Sequence, residues 1–212
     1  TGFIDGFYYK PRVDYETLER YHEGLIALSA CLAGEVAKNL SRNLYDEAKK
    51  AALHYLSIFG PDHFYLELQD HGYPEQKKVN AGLLQIHEET GIPLVATNDI
   101  HYTRKEDAEA HDILLCLQTG KKITDQDRLR YPGGQFYIKS EEEMRALFPY
   151  AAEALENTHA IAERCHVHIE FGHYHVPGYQ VPEGYDTTGY LRKLCEDGLQ
   201  ARYGAAGEQY RA

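Results

Sequence analysis

The chain has 212 residues, which is enough for one large domain or for one domain and part of another. Its hydrophobic fraction of 43% and charged fraction of 26% are typical of a soluble globular protein, and no apolar run approaches the roughly 18 residues that span a bilayer. A net charge of -11 opposes attraction to a phosphate backbone, so the chain is not expected to be the main nucleic-acid-binding surface of any protein.

The cysteines and the first residues of the chain indicate its cellular compartment. The four cysteines (Cys31, Cys116, Cys165 and Cys195) lie far apart without a CxxC pair, which favours a reducing, cytosolic compartment over a disulfide framework. The first residues contain neither a basic region nor a long apolar stretch, so no signal peptide is predicted. Because the first residue is Thr1 rather than Met, we expect a fragment or a trimmed chain.

The first half of the chain alternates short apolar runs with longer amphipathic segments. Ser41 is predicted to be the N-cap of the first long helix and Gly60 to end it, while Gly91 is predicted to be the C-cap of the second. In chain order, the predicted elements are a strand at 25–30, a helix at 41–59, a strand at 64–69 with alternating faces, a helix at 74–90 and a fully buried strand at 92–97.

This order of elements predicts an α/β fold. Strand, helix, strand, helix and strand of these lengths are typical of consecutive βαβ units on a parallel sheet. An open doubly wound sheet and a closed barrel both agree with the pattern. In either fold, functional sites lie beyond the carboxyl ends of the strands.

The second half is predicted to be mainly helical. Helices are expected at 105–117, from Ser140 to near Pro149 through a capping box, and at 152–164. The first of these carries an apolar stripe, consisting of Ala108, Ile113, Leu114 and Leu117. A linker follows at 173–185, rich in glycine and proline, and Thr187 or Thr188 is predicted to cap a last helix.

Asp99 and His101 are candidate metal ligands. They lie two residues apart at a strand end, so their side chains leave the same face. A carboxylate and an imidazole placed in this way can share one divalent cation or bind two adjacent ones. The alternative is a turn in which Asp99 caps the following segment and His101 is merely exposed.

Two further candidates follow the neighbouring predicted strands. Cys31 comes directly after the first strand and is either a small buried hydrophobic residue or a thiolate ligand. His71 ends the middle strand and is a weaker candidate, as a ligand, a supporting group, a substrate contact or a loop histidine.

A second group of histidines lies far from these strand ends. It comprises His166, His168, His173 and His175. Nothing in the sequence places the two HxH pairs in one tetrahedral site, so adventitious binding or plain solvation is the favoured interpretation. The sequence also contains no P-loop, GxGxxG, GxSxG or HExxH motif. Nor does it contain a convincing carboxylate cluster for two-metal nucleotidyl transfer.

An ordered set of segments covering nearly the whole chain resembles the alpha subunit of bacterial DNA polymerase III. The segments are GFYYKPR at 6–12, GLIALSACLAGE at 24–35, FYLELQDHG at 64–72, ATNDIHY at 96–102, QFYIK at 135–139 and NT at 157–158. The ordered set is far more specific than any single motif.

The resemblance implies a fold and a metal site. It implies the later part of a distorted (β/α)7 PHP barrel with parallel strands at 1–172, then the linker, then helices that start a polymerase palm at 186–212. Cys31, Asp99 and His101 match the family's later metal ligands, and the earlier ligands are expected upstream of Thr1. The implied ions are Zn, Mn or Fe at the PHP site and Mg in the parent polymerase, whose palm aspartates are expected beyond Ala212.

Three functional hypotheses follow. The first is a fragment of a replicative DNA-directed DNA polymerase, with possible metal-dependent 3′–5′ exonuclease proofreading by the PHP domain. DNA, deoxynucleotides, the sliding clamp and other replisome subunits are then the implied partners, and the implied compartment is the cytoplasm. The second is a stand-alone PHP phosphoesterase, and the third is a non-catalytic PHP scaffold. The fragment alone is expected to be inactive.

Overall fold

A computed structural model describes residues 1–174 and 176–210 of the chain. They divide into two compact units, Thr1–His166 and Val167–Ala212. His175 of the second histidine group lies outside the described residues. None of the described helices is both long enough and apolar enough to cross a membrane.

The first unit contains a parallel sheet, as predicted for a mixed α/β fold. Strands β3 (Ala27–Leu28), β4 (Phe64–Leu68) and β5 (Leu94–Ala96) are hydrogen bonded in that order, with every pair parallel. A short antiparallel pair, β1 (Phe7–Tyr8) and β2 (Lys10–Pro11), precedes them. The parallel sheet has three strands in the described part of the chain, so the seven-stranded barrel stays a prediction.

The helices connect and cover these strands. In the first unit they are α1 (Tyr15–Tyr21), α2 (Glu35–Ser41), α3 (Tyr45–Phe59), α4 (Pro74–Thr90), α5 (Ala108–Thr119), α6 (Glu141–Leu147) and α7 (Ala152–Arg164). A short 3₁₀ turn, Lys105–Asp107, precedes α5. In the second unit, α8 (Thr187–Tyr203) is followed by the 3₁₀ segment Gly204–Tyr210.

The core lies between the parallel sheet and helices α2, α3, α4 and α7. In the central strand β4, Leu66 and Leu68 are fully buried together with Ile86 of α4. Helix α7 packs along β5, where Asn157 Nδ2 donates a hydrogen bond to the carbonyl oxygen of Leu94 at 2.8 Å. This packing places the carboxyl ends of all three strands at one edge, where the candidate site residues follow.

Several predicted boundaries are confirmed. Helix α4 ends at Gly91, whose φ of 71° is the left-handed conformation expected of a C-cap glycine. Helix α6 begins with the predicted capping box, in which Ser140 and Glu143 each accept a hydrogen bond from the other's backbone N–H. Helix α7 has the predicted bounds.

The prediction of one helix at 41–59 is wrong. Ser41 is the last residue of α2 rather than an N-cap. The helical conformation is interrupted at Asn43 before α3 begins. Asn43 has a φ of 62°, a left-handed conformation that asparagine tolerates better than most residues. The strand predicted at 64–69 is confirmed as β4, and its second face is largely covered too, since Tyr65 is buried.

The apolar stripe of α5 is exposed at Ile113, Leu114 and Leu117, while Leu115 and Cys116 are the buried residues of this helix. One further prediction is corrected in the second half. The last helix is capped by Asp186, whose side chain accepts a hydrogen bond from the backbone of Gly189, and not by either threonine.

Candidate metal site at the strand ends

Asp99 and His101 lie together beyond the end of β5. Asp99 Oδ1 is 3.4 Å from His101 Nε2, and both side chains are partly exposed, at 38% and 29%. Asp99 has a φ of 42°, so the chain turns sharply as it leaves the strand. The structure thus brings an acceptor carboxylate and an imidazole to one accessible point, and both are donor types that divalent transition metals accept.

An irregular segment, residues 121–139, covers this strand end, and we call it the covering segment. The carbonyl oxygen of Phe136 accepts hydrogen bonds from the backbone N–H groups of His101, at 2.9 Å, and Tyr102, at 3.2 Å. Asn98 Nδ2 donates to the carbonyl oxygens of Tyr137, at 2.6 Å, and Gln135, at 3.3 Å. These bonds tie the covering segment directly to the residues that flank Asp99.

An ion pair between Arg128 and Asp112 holds the earlier part of the covering segment against α5. Arg128 donates two parallel hydrogen bonds to the carboxylate of Asp112 on α5, at 2.5 and 2.6 Å. This pairing lowers the pKa of Asp112 and raises that of Arg128. Bidentate pairing of a guanidinium with a carboxylate fixes direction as well as distance, so it orients the segment on α5.

Aromatic rings surround the imidazole of His101. The ring of Tyr131 has its centroid 4.3 Å from that of His101, and the ring of His111 lies 5.6 Å away. Burial lowers the pKa of His111, and the nearby His101 acts in the same direction. These neighbours limit the directions in which the ring of His101 can turn.

His71 is buried beneath the covering segment, and both of its ring nitrogens are engaged. Nε2 lies 2.7 Å from the carbonyl oxygen of Asn98, which requires an N–H there, and Nδ1 lies 2.8 Å from Gln76 Nε2. The ring stacks on Phe136 at a centroid distance of 3.9 Å and an angle of 8°. Burial lowers the pKa of His71 and so favours this neutral form. An ion could bind His71 only by replacing one of these hydrogen bonds.

Cys31 is half-buried in the loop after β3, beside a polar network that was not predicted from the sequence. The backbone N–H of Ala30 donates to Glu67 Oε2 at 3.0 Å. The other oxygen of Glu67 accepts from the hydroxyl of Thr97 and from Gln69 Nε2. The network thus joins the ends of β3, β4 and β5. The only sequence signal was that Glu67 and Gln69 share the polar face of the alternating strand.

The predicted ligands are brought together only in part. Among residues 1–174 and 176–210, no three His, Cys, Asp or Glu side chains form a group that could hold a metal ion. Cys31 therefore does not join Asp99 and His101 in one three-ligand group. Since a structural zinc ion takes four ligands and a catalytic one usually takes three from the protein, the described residues fit an ion only as part of a site.

Comparison with known proteins shows what the chain is similar to. A model of the PHP domain matches residues 1–71, a range that includes Cys31 but ends before Asp99. The chain is 46% identical over 204 residues to the DNA polymerase III subunit alpha of Borreliella burgdorferi, covering 95% of the chain and 18% of that protein. It is 44% identical over 212 residues to the subunit of Treponema pallidum, covering 100% of the chain and 18% of that protein. With the subunit of Thermus aquaticus, identity is 44% over 208 residues, covering 95% of the chain and 17% of that protein. The chain thus spans less than a fifth of the length of these relatives.

Proposed function

Because the chain is homologous over nearly its whole length to a segment of bacterial DNA polymerase III alpha subunits, we propose that it is the PHP-containing segment of a replicative DNA-directed DNA polymerase. The observation that carries this proposal is the identity of 44% to 46% across 95% to 100% of the chain. The parent protein would add deoxynucleotides to DNA with Mg, in the cytoplasm, together with a sliding clamp and other replisome subunits. We assign nucleotide addition to none of the residues present.

The proposal extends to the finer fold. Residues 1–172 would form the later part of a distorted (β/α)7 PHP barrel, and the parallel order of β3, β4 and β5 supports this arrangement. Residues 173–185 would be a linker, and 186–212 would begin the polymerase palm. The boundary between the two compact units, after His166, falls a few residues before the proposed linker.

We further propose that Asp99 and His101 contribute to a divalent metal site in the parent protein, in which Cys31 would be a ligand of an adjacent ion. Support comes from the 3.4 Å approach of the Asp99 carboxylate to the imidazole of His101 at an accessible strand end. When bound, an ion such as Zn, Mn or Fe would supply an activated water for attack on a phosphodiester in 3′–5′ proofreading. The carboxylate of Asp99 would provide negative charge, and the backbone bond from His101 to Phe136 would hold the imidazole in place.

The test uses the full-length parent protein. We expect Asp99→Asn and His101→Ala each to reduce bound metal and Mn- or Zn-dependent 3′–5′ nuclease activity while leaving polymerisation largely intact. Asp127→Asn and His159→Ala are matched controls, because both residues are exposed and lie outside the proposed ligand set. Full metal content and full nuclease rate in both site variants would contradict the ligand assignment without affecting the polymerase family assignment.

A non-catalytic scaffold is the second candidate, and two observations favour it. No group of three ligating side chains occurs in the described part of the chain, and both ring nitrogens of His71 are occupied. On this alternative, the wild-type parent protein would bind no stoichiometric metal at this domain. The relatives compared above are named as polymerase subunits and give no support to a stand-alone phosphoesterase.

A further inference from the structure

The side-chain amide of Gln69 is oriented by two hydrogen bonds. Its Nε2 donates to Glu67 Oε1 at 3.0 Å and to Thr97 Oγ1 at 3.2 Å. Because the hydroxyl of Thr97 donates its own proton to Glu67, the Thr97 oxygen is left as an acceptor for Gln69. If the Gln69 amide were flipped by 180°, its Oε1 would lie where Nε2 is now, next to the carboxylate oxygen of Glu67. The amide oxygen of Gln69 must therefore face away from both residues.

That oxygen is buried and lacks a donor. Gln69 is only 6% exposed, and its Oε1 has no hydrogen-bond partner among the described residues. A buried acceptor without a partner keeps the full cost of losing its contact with water. Native proteins usually satisfy such groups, and where no protein donor is in reach an ordered water molecule fills the role.

A small cavity adjoins Gln69. It has a volume of about 10 Å³ and is lined by five polar residues (Cys31, Glu67, Gln69, Gln76 and Asn80) and by apolar side chains that include Ala37. The amide nitrogens of Gln76 and Asn80 are already bonded, to His71 Nδ1 and to the carbonyl oxygen of Gln69. This volume corresponds to about one water-sized sphere. The oxygens of Glu67 already accept three hydrogen bonds, from Ala30, Gln69 and Thr97. Glu67 and Cys31 are the only lining residues with charge-bearing ligand groups, fewer than a protein metal site needs.

We propose that one ordered water molecule occupies this cavity, donates a hydrogen bond to Gln69 Oε1 and contacts Cys31. The water links the loop after β3 to strand β4. The same loop is already held to Glu67 through the backbone N–H of Ala30. This inference does not depend on the proposed metal site.

Crystals of the full 212-residue chain, measured to better than about 1.8 Å with anomalous data, test the proposal directly. We expect a single peak within hydrogen-bond distance of Gln69 Oε1, about 2.7 to 3.2 Å, without anomalous signal. An empty cavity at that resolution would overturn the proposal. An anomalous scatterer in the same place would also overturn it, because the occupant would then be an ion.

Measured in solution, a pair of isosteric substitutions tests whether Gln69 Oε1 needs a hydrogen-bond donor. Ala37→Thr and Ala37→Val add groups of nearly equal size to a residue that lines the cavity, but only threonine adds a hydroxyl that can act as a donor there. If the water is displaced in both, we expect the valine variant to melt at least about 2 °C lower than the threonine variant. Equal melting temperatures would contradict the argument that burial of Gln69 Oε1 requires a donor.

Discussion

The ring of Phe136 is expected to stabilise the covering segment, and Phe136→Ala tests this. Phe136 is 3% exposed, and its ring stacks on His71 and meets the edges of Tyr131 and His101. Removing the ring leaves the carbonyl oxygen of residue 136 able to accept hydrogen bonds from His101 and Tyr102. The expected loss is therefore mainly that of buried apolar contact.

The expected loss of stability can be estimated because the apolar contacts of Phe136 are lost while its backbone hydrogen bonds are kept. Truncating a buried phenylalanine to alanine typically lowers the free energy of unfolding by about 3–5 kcal/mol. Because the backbone bonds are kept and the segment lies at the surface, we expect the low end, about 3 kcal/mol. For a chain of this size that corresponds to a fall of about 6–12 °C in melting temperature.

Chemical denaturation followed by far-ultraviolet circular dichroism would measure the change, with Phe171→Ala as the control. Phe171 is 88% exposed, so its truncation should change the free energy of unfolding by less than about 0.5 kcal/mol. The ring protons of His71 provide a local measurement, because loss of the stacked ring should move their NMR signals downfield. A loss below about 1 kcal/mol with unchanged His71 signals would refute this account of the covering segment.

Two further predictions concern the packing of the helices. Hydrogen bonds from Lys49, and to a smaller extent from Gln85 and Tyr45, lower the pKa of Glu89 to about 2 from an ordinary value of 4.5. The stabilising effect of the Glu89 carboxylate is therefore complete above about pH 5 and is lost as pH falls toward 2. We expect Glu89→Gln to lower the melting temperature at pH 7 and to flatten its fall across that window, while Glu88→Gln, an exposed neighbour, changes neither. Gly34→Ala should lower the free energy of unfolding by about 1–3 kcal/mol, because the new Cβ would lie 2.3 Å from the carbonyl oxygen of Ser29. Gly178→Ala, where no heavy atom lies within 4 Å, should change it little, and equal effects in denaturation curves would contradict the steric explanation.

Helix ends marked by local chemistry could be predicted from the sequence. Gly91 and the capping box at Ser140 act within one turn of the helix, so their signals lie within a few residues. The break between α2 and α3 was missed because the apolar spacing continues across it. Asn43, which tolerates a positive φ, was the available signal.

Features that depend on distant partners could not be predicted. The apolar stripe on α5 did not reveal which of its residues are buried, because periodicity shows that a helix has an apolar face but not which side its neighbours cover. At the candidate site, the proximity of Asp99 and His101 follows from their spacing. The network of Glu67, Gln69 and Thr97 does not, since it joins residues about 30 positions apart through side-chain geometry alone.

The hydrogen bonds of Asn98 make this part of the molecule sensitive to chemical ageing. The side-chain nitrogen of Asn98 is the donor to two carbonyl oxygens of the covering segment, and its oxygen accepts from Lys139. Slow hydrolysis of that amide to a carboxylate would replace the nitrogen by an oxygen. That oxygen has no proton to donate and would face the two carbonyl oxygens directly. A change of one atom, with hardly any change in shape, would thus turn attraction into repulsion at these two contacts of the covering segment.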